Sequence, residues 1–247
     1  MRRKVKKKVV GTMDNECIMH PAGGGEDFEL KEEWKGKSLF LHKVLVGIGE
    51  EWAVPEGEDG TGKNKARADR VKEGYEALSR LLEGKDYFII TMNTDGKIFE
   101  SSLDEKRITA PCGNIHWFQC ENACTKDIWE EGEVENGLCP HCGAHLISNT
   151  VDADKYIEEG YLPRWNDYRQ WLSGTINRKM TVLELGVGFK HPGIIRWPFE
   201  KIVFYNNKAN MYRVHQKFFQ VSEELKEKAE GIQKDSVEFI VDSPKLW

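Results

Sequence analysis

The chain has 247 residues, of which 39% are hydrophobic and 31% charged, a composition typical of a globular protein with a substantial core. Its formal net charge of −5 argues against a dedicated nucleic-acid-binding protein, because such proteins gain most of their affinity by neutralising phosphates. No apolar run approaches the roughly 20 residues that cross a bilayer, so no membrane partner is expected.

Residues 1–37 have weak periodicity and a glycine break at residues 23–25, which predicts an amino-terminal extension, either a hairpin or an arm. The basic cluster at residues 2–8 lacks the long apolar stretch of a signal peptide. Six cysteines, four of them spaced as metal ligands, fit a reducing compartment better than a disulfide framework. We therefore expect a cytoplasmic protein.

The next part of the chain alternates between strand and helix patterns. Apolar runs at residues 43–46 and 86–91 predict two buried strands. Between them, residues 53–64 are rich in turn formers and charge, which predicts a mobile loop. Residues 65–83 have helical periodicity, and the side chains that share one predicted face are Val71, Tyr75, Leu78 and Leu82.

Four cysteines form two short knuckles, Cys120 with Cys124 and Cys139 with Cys142, separated by fourteen residues. Four thiolates at this spacing are the ligand set of a structural zinc site, which leaves no position open for water or substrate. Bound metal is therefore expected to fold this segment. Rubredoxin-like iron uses the same ligands, so both metals stay open, and a colourless protein would favour zinc.

Alternating elements continue after the cysteines. Residues 152–172 predict one or two helices with Trp165, Tyr168 and Leu172 as core contacts. Further strands are predicted at residues 181–185, 211–214 and 237–241. A helix is expected to begin near Gly193 and to bend or divide at Pro198, and a charged helix is expected from Ser222.

Together these elements predict an α/β protein with a Rossmann-like parallel sheet and an inserted small zinc-ribbon subdomain. The expected domains are the extension 1–37, a Rossmann-like domain of residues 38–108 and 175–247, and the zinc-binding insertion with its returning helices at residues 109–174.

Three predicted strands end in glycine-rich or polar sequence: Gly47-Ile-Gly49, the segment from Thr91 to Gly96, and Gly186-Val-Gly188. Ligands of open α/β sheets bind at the carboxyl ends of the strands. Each segment alone is more typical of a turn, but the three together favour a ligand site.

The segment from Thr91 to Gly96, TMNTDG, resembles the Thr-Gln-Asn-Ile-Asp-Gly motif of the sirtuins, the NAD-dependent protein deacylases and ADP-ribosyl transferases. Residues 183–199, LELGVGFKHPGIIRWPF, are similar to the sirtuin branch that is linked to macrodomains in microbes. The resemblance covers residues 86 to about 215. It implies NAD as a possible cofactor, alongside structural zinc.

The resemblance also implies roles for individual residues. Asn93 and Asp95 would lie in the pocket for the nicotinamide end of NAD and serve catalysis. Gly186, Val187 and Gly188 would approach the dinucleotide with bare backbone, and His215 would lie on the adenine side. The full set of cofactor-binding residues expected on these grounds is Gly47, Gly49, Thr91, Asn93, Asp95, Gly186, Val187, Gly188 and His215.

The chain departs from the sirtuin pattern at the general base. The deacylases carry a histidine eight residues before the first zinc cysteine, where this chain has Cys112. Cys112 is thus a candidate catalytic residue if its thiolate is favoured, and a buried structural thiol otherwise. If the segment is extended, His116 points to the same face as Cys112. The macrodomain-linked branch also lacks the histidine and is associated with ADP-ribosyl transfer.

A second departure concerns the cofactor loop, where sirtuins have Gly-Ala-Gly-x-Ser and this chain has Gly47-Ile-Gly49-Glu50-Glu51-Trp52. If they face it, the two carboxylates repel a pyrophosphate, at a cost of about 3 kcal/mol per charge pair at 5 Å in an effective dielectric of about 20. Trp52 is also large for this position.

Three functions follow from these observations. The first is NAD-dependent ADP-ribosyl transfer or protein deacylation, with an acceptor protein as partner and Glu50 or Glu51 as a possible acid–base group. The alternative is a catalytically degenerate sirtuin scaffold that keeps the zinc module. A zinc-ribbon nucleic-acid-binding protein is least favoured, because the chain is acidic.

Overall fold

A parallel sheet of six strands forms the centre of the protein. The computed structural model describes residues 43–54 and 62–242, which belong to one compact unit spanning residues 38–247. The strands are β1 (Lys43–Ile48), β2 (Asp86–Thr91), β3 (Ile108–Thr109), β4 (Gly113–Cys120), β5 (Trp129–Glu130), β6 (Leu146–Thr150), β7 (Met180–Leu185), β8 (Ala209–Val214) and β9 (Ala229–Ile232). The large sheet has the order β3-β2-β1-β7-β8-β9, and every neighbouring pair is parallel. The predicted α/β class with a Rossmann-like sheet is therefore confirmed.

Strand β1 lies inside the sheet because its side chains are apolar on both faces. Val44, Leu45, Val46 and Ile48 have no exposed surface. Such continuous burial is typical of a parallel strand that is covered by helices on both sides.

Four helices accompany the strands: α1 (Lys63–Leu82), α2 (Leu162–Ser173), α3 (Arg196–Tyr205) and α4 (Ser236–Asp242). Helix α1 confirms the predicted amphipathic helix, since Val71, Tyr75, Leu78 and Leu82 are all buried. Helix α2 falls within the predicted region; its Tyr168 is buried, and Trp165 and Leu172 pack against the core. None of the described helices is long and apolar enough to cross a membrane.

The prediction for the last two elements was wrong. Residues 237–241 lie in helix α4, because the Asp235 carboxylate accepts the backbone N–H groups of Val237 and Glu238 at 2.9 and 3.1 Å and so caps the helix. The charged helix expected from Ser222 is only a short 3₁₀ turn, Glu223–Leu225, followed by β9. Its sequence favours helix locally, but Leu225 is the one residue that it buries.

The predicted bend at Pro198 is also absent. Helix α3 begins at Arg196, so Pro198 lies in its first turn, where a backbone N–H has no intrahelical partner. A proline in this position costs the helix no hydrogen bond. The predicted extension 1–37 and residues 55–61 of the predicted mobile loop lie outside the described residues.

The inserted module has a small antiparallel sheet with the order β5-β4-β6. Strand β4 pairs along its length with β6, and the register shifts between Asn114 and Phe118. Gln119 of β4 is fully buried. Its Oε1 accepts hydrogen bonds from Asn149 Nδ2 at 2.7 Å and from the Ile157 N–H at 3.0 Å. These bonds fix the chain that leads from the module to α2.

A buried ionic network links β7, β8 and α3. Glu184 has no exposed surface, and Arg213 donates to both of its carboxylate oxygens at 2.6 and 3.0 Å. Arg196 of α3 donates to Glu184 Oε1 at 3.4 Å and to the Val187 carbonyl at 3.0 Å. The loop that follows β7 is thus tied to the charges beneath it.

Replacing Arg213→Met should leave the Glu184 carboxylate buried without its main partner. We expect the free energy of unfolding in urea to fall by about 3–5 kcal/mol. Arg169→Met, which removes an exposed arginine, should change it by less than about 0.5 kcal/mol. The double variant Glu184→Leu with Arg213→Met should recover much of the loss; equal destabilisation of Arg213→Met and Arg169→Met would contradict the role of this pair.

Candidate functional site

The order of the sheet reverses between β1 and β7. From β1 the chain continues to β2 on one side, whereas β7 continues to β8 on the other. Ile48 and Leu185, the last residues of β1 and β7, lie side by side in the register. The crevice at such a reversal is where open α/β sheets bind ligands.

The loops after β1 and β7 are in direct backbone contact at this crevice. A side chain at Gly49 would place its Cβ 2.4 Å from both the Gly186 oxygen and the Val187 Cα, so only glycine fits. The Gly49 N–H donates to the Leu185 oxygen at 2.9 Å, and the Glu51 N–H donates to the Gly186 oxygen at 3.3 Å. Gly186 has φ +63°, a conformation that favours glycine.

Two residues expected at the cofactor, Gly47 and Val187, also contact the core. A Cβ at Gly47 would lie 2.5 Å from Ile195 Cγ2 and 2.7 Å from Phe199 Cε2, so Gly47 makes room for α3. Val187 has no exposed surface and packs in the hydrophobic core. Packing alone therefore explains why position 47 has no side chain and why residue 187 is apolar.

The glutamates after Gly49 fold back onto the crevice. Glu50 Oε2 accepts the Gly188 N–H at 2.8 Å. Glu51 Oε1 accepts the Gln216 N–H at 2.9 Å, and its Oε2 accepts the N–H and hydroxyl of Ser236 at 3.0 and 2.8 Å. Both carboxylates therefore occupy backbone donors at the carboxyl edge of the sheet.

Glu51 also contacts His215, whose Nδ1 lies 2.9 Å from Glu51 Oε1. Burial alone would raise the pKa of Glu51, but the contact with His215 and the hydrogen bonds from Gln216 and Ser236 together hold it below its ordinary value. These contacts thus favour the ionised form of the Glu51 carboxylate. His215, expected on the adenine side of a cofactor, is in this structure a partner of Glu51.

Trp52 is fully buried below the crevice. Its indole N–H donates to the Ser236 hydroxyl at 3.0 Å, and its ring centroid lies 4.9 Å from that of Tyr75. A Cβ at Gly74 of α1 would lie 3.1 Å from the indole ring. Trp52 therefore fills the space between α1 and α4 and anchors the loop that carries the glutamates.

Asn93 and Asp95 follow β2 beside the crevice. The Asn93 backbone N–H donates to Thr91 Oγ1 at 3.1 Å, which turns the chain at the strand end. The Asn93 side chain is 7% exposed, and its buried Nδ2 has no hydrogen-bond partner among the described residues. Asp95 accepts the Lys97 and Val54 N–H groups at 3.1 and 2.9 Å.

Tyr75 of α1 joins this group and was not expected there. Its hydroxyl is buried and, within the described residues, has no hydrogen-bond partner. Burial raises the pKa of Tyr75 well above its ordinary value, the charge of Asp95 adds to this, and the nearby Asn93 amide offsets only part of it. The helical pattern marked Tyr75 only as a core residue, and nothing in the sequence shows which strand end its hydroxyl meets.

Cys112 follows β3 and is buried at 2% exposure. Burial raises the pKa of its thiol to about 11, with an opposing effect from Lys190 and smaller increases from Glu50 and Asp152. At neutral pH the group is a thiol and neither attacks as a thiolate nor accepts a proton.

His116 does not share a face with Cys112. Gly113 has φ +86° and the register of β4 shifts after Asn114, so the segment is not evenly extended. His116 is exposed, with its Nδ1 3.7 Å from Glu131 Oε2.

The four cysteines come together as predicted. Their Sγ atoms all lie within 4.8 Å of one another, and the distances from Cys120 to Cys142 and from Cys124 to Cys139 are 3.5 Å. A tetrahedral zinc with Zn–S bonds of about 2.3 Å requires S···S distances of about 3.8 Å. The cluster therefore fits a four-thiolate metal ion.

The second knuckle is closed by its own backbone. The Cys139 N–H donates to the Ala144 oxygen at 2.7 Å, and the Gly143 N–H donates to the Cys139 oxygen at 2.9 Å. Gly143 has φ +73°, which explains the glycine after Cys142. The first knuckle turns at Ala123, with φ 51°.

The two ends of the crevice fit a dinucleotide differently. At the β2 end, the Asn93 amide and the Tyr75 hydroxyl are buried polar groups without a hydrogen-bond partner among the described residues, and a bound amide would satisfy them. At the β7 end, the Gly188 N–H that a phosphate would take is bonded to Glu50. The residues fit a nicotinamide group but, in this conformation, not a pyrophosphate.

Comparison with curated proteins finds two relatives, although no protein-family model matches the chain. It is 26% identical over 145 residues to a probable bifunctional ADP-ribose hydrolase/ADP-ribosyltransferase of Fusarium oxysporum f. sp. cubense, covering 49% of the chain and 24% of that relative. It is 22% identical over 183 residues to a protein ADP-ribosyltransferase of Staphylococcus aureus, covering 67% of the chain and 58% of that relative. The chain thus spans less than two thirds of the length of either relative.

Solved structures give the fold. A mutant Sir2 homologue in complex with ADP-ribose superposes with a TM-score of 0.60 at 12% identity, covering 88% of this chain and 96% of that one. The chain has the Sir2, or sirtuin, fold. A Sir2 homologue in complex with NAD gives a TM-score of 0.59 at 13% identity, covering 87% and 92%. Both structures therefore show the same fold for this chain.

Removing the metal should unfold the inserted module of this sirtuin-like chain. We expect Cys139→Ser, or chelation, to release the bound ion and to lower the melting temperature, since metal binding and folding of such a module are coupled. Cys112→Ser, which changes a cysteine outside the cluster, should retain the metal. Metal analysis and circular dichroism measure both, and an unchanged melting curve after verified metal removal would count against the coupling.

Glu51 should make stability depend on pH. Because the folded pKa lies below the ordinary value of 4.5, the stabilisation relative to Glu51→Gln is complete above that value and is lost as the pH falls through the folded pKa. Urea unfolding of both proteins from neutral to acidic pH tests this. Glu223→Gln, at an exposed position, should show no such difference, and a Glu51→Gln difference that is constant with pH would refute the assignment.

Proposed function

We propose that this chain transfers ADP-ribose from NAD to a protein acceptor. Three things support the proposal: the sirtuin fold, the two ADP-ribosyltransferases among its relatives, and the polar cluster beside the crevice. Since the chain spans only part of those relatives, the protein acceptor is proposed by analogy with the Staphylococcus aureus relative, a protein ADP-ribosyltransferase.

The observation that carries the proposal is the buried Asn93 amide, whose Nδ2 has no hydrogen-bond partner among the residues that the structure describes. Leaving a buried donor unsatisfied costs about 1–3 kcal/mol, so such a group in a folded protein calls for a ligand or an ordered water. Asn93 lies at the carboxyl end of β2, next to the reversal of strand order. A degenerate scaffold would have no ligand to satisfy this donor.

Asn93, Asp95 and Tyr75 would hold the nicotinamide end of the cofactor. When bound, NAD supplies a ribose–nicotinamide bond that breaks as the acceptor is modified. Asn93 Nδ2, which has no hydrogen-bond partner in the described part of the chain, would donate to a carboxamide oxygen, and Asp95 is held in place by the Val54 and Lys97 N–H groups. Tyr75 closes the buried side with a protonated hydroxyl.

Cys112 supports ADP-ribosyl transfer over deacylation. Deacylation by sirtuins uses a general base at this position, and a buried thiol with a pKa of about 11 cannot accept a proton at neutral pH. We propose a structural rather than catalytic role for Cys112, and zinc as the structural metal of the four-cysteine cluster. A cytoplasmic location stays a proposal from cysteine use.

Asn93→Ala should abolish nicotinamide release. Removing one preorganised donor from an active site lowers turnover on the order of 100-fold or more. Because Nδ2 has no hydrogen-bond partner among the described residues, the variant loses no described contact there and its melting temperature should not fall. Nicotinamide is measured by chromatography after incubating the metal-loaded chain with millimolar NAD.

Asn207→Ala serves as the matched control, since it removes an exposed amide just before β8, at the opposite edge of the sheet. It should retain full activity. Undiminished turnover of Asn93→Ala would remove the proposed pocket, and no nicotinamide release by the unmodified chain would refute the function.

A further inference from the structure

The two glutamates at the crevice are held very differently. Within the described residues, the Glu50 carboxylate has a single hydrogen-bond donor, the Gly188 N–H at 2.8 Å. The Glu51 carboxylate has partners in Gln216, Ser236 and His215. Glu51 is thus fixed by the fold, whereas Glu50 is held by one bond.

The backbone beneath Glu50 does not need to move for its side chain to leave. Arg67 donates to the Glu51 carbonyl oxygen, and the Glu51 N–H donates to Gly186. Trp52, the next residue, is buried against Tyr75. Rotation of the Glu50 side chain is therefore enough to expose the Gly188 N–H.

The Glu50 carboxylate lies where an anionic ligand would bind. It lies beyond the carboxyl end of β7, at the strand-order reversal, on a backbone N–H that no Cβ shields. A Cβ built on Gly188 would lie 3.2 Å from Glu50 Oε2, so the carboxylate rests on the bare glycine.

We propose that Glu50 is an internal competitor for the diphosphate of the cofactor. Its carboxylate occupies the Gly188 N–H in the free protein and must rotate away before a diphosphate can take that donor. The inference rests on the proposed function, because it concerns the same crevice. Glu50 would thus set the affinity for the diphosphate of the ligand, whereas binding of the nicotinamide end would not depend on it.

Comparing the binding of ADP-ribose with that of adenosine separates competition for the diphosphate from a general change in the crevice, because only ADP-ribose carries the diphosphate. Calorimetry on the metal-loaded full chain should show Glu50→Gln binding ADP-ribose on the order of tenfold more tightly than the unmodified chain, since one opposing charge is gone. Adenosine should bind both equally. Glu223→Gln removes an exposed carboxylate and should leave both affinities unchanged.

Glu50→Ala, which removes the carboxylate altogether, should change ADP-ribose affinity in the same direction and guards against misfolding of either variant. Equal ADP-ribose affinity in the unmodified chain and both Glu50 variants would overturn the competition and leave the proposed function intact. No binding by any of them would also overturn it, and nicotinamide release by the unmodified chain then decides separately whether the proposed function stands. A parallel gain in adenosine affinity would show a general loosening of the crevice and would likewise overturn it.

Discussion

The structure depends on the direct contact between the loops that follow β1 and β7. Gly49 and the Gly186 carbonyl are so close that no side chain can be placed at Gly49. The contact closes the base of the crevice at the reversal of strand order and brings Glu50 and Glu51 over the carboxyl edge of the sheet. The side chains of Glu50 and Glu51 at this edge distinguish the crevice from an open dinucleotide site.

Buried charge fixes the β7 side of the crevice. Glu184, Arg196 and Arg213 compensate one another in a region without solvent, and Arg196 also holds the Val187 carbonyl. Such a network is costly to bury but has few alternative arrangements, which holds the loop of Gly186 and Gly188 in one position. The position of Gly188 therefore depends on buried charges that contact the chain at the neighbouring Val187.

The two halves of the crevice are in opposite states. Within the described residues, the half beside β2 has two buried polar groups without hydrogen-bond partners, at Asn93 and Tyr75. The half beside β7 has its donors occupied by carboxylates of the chain. If the chain binds NAD as proposed, the nicotinamide amide would lie at the first half and the diphosphate would meet the Glu50 carboxylate at the second.

The sequence by itself determined the features that rest on local pattern: the central strands, helix α1, and the four cysteines, whose knuckle spacing already contains the geometry of a metal site. It also marked the three strand ends that meet at one edge of the sheet. Only the tertiary structure decided what lies between them. Ser236 lies 185 residues after Glu51, and Gly188 lies 138 residues after Glu50, so no local pattern could pair them. The same long-range packing brought the Tyr75 hydroxyl to Asn93, buried Cys112 and paired β9 with β8. Burial and strand pairing depend on neighbours that the order of residues along the chain does not reveal.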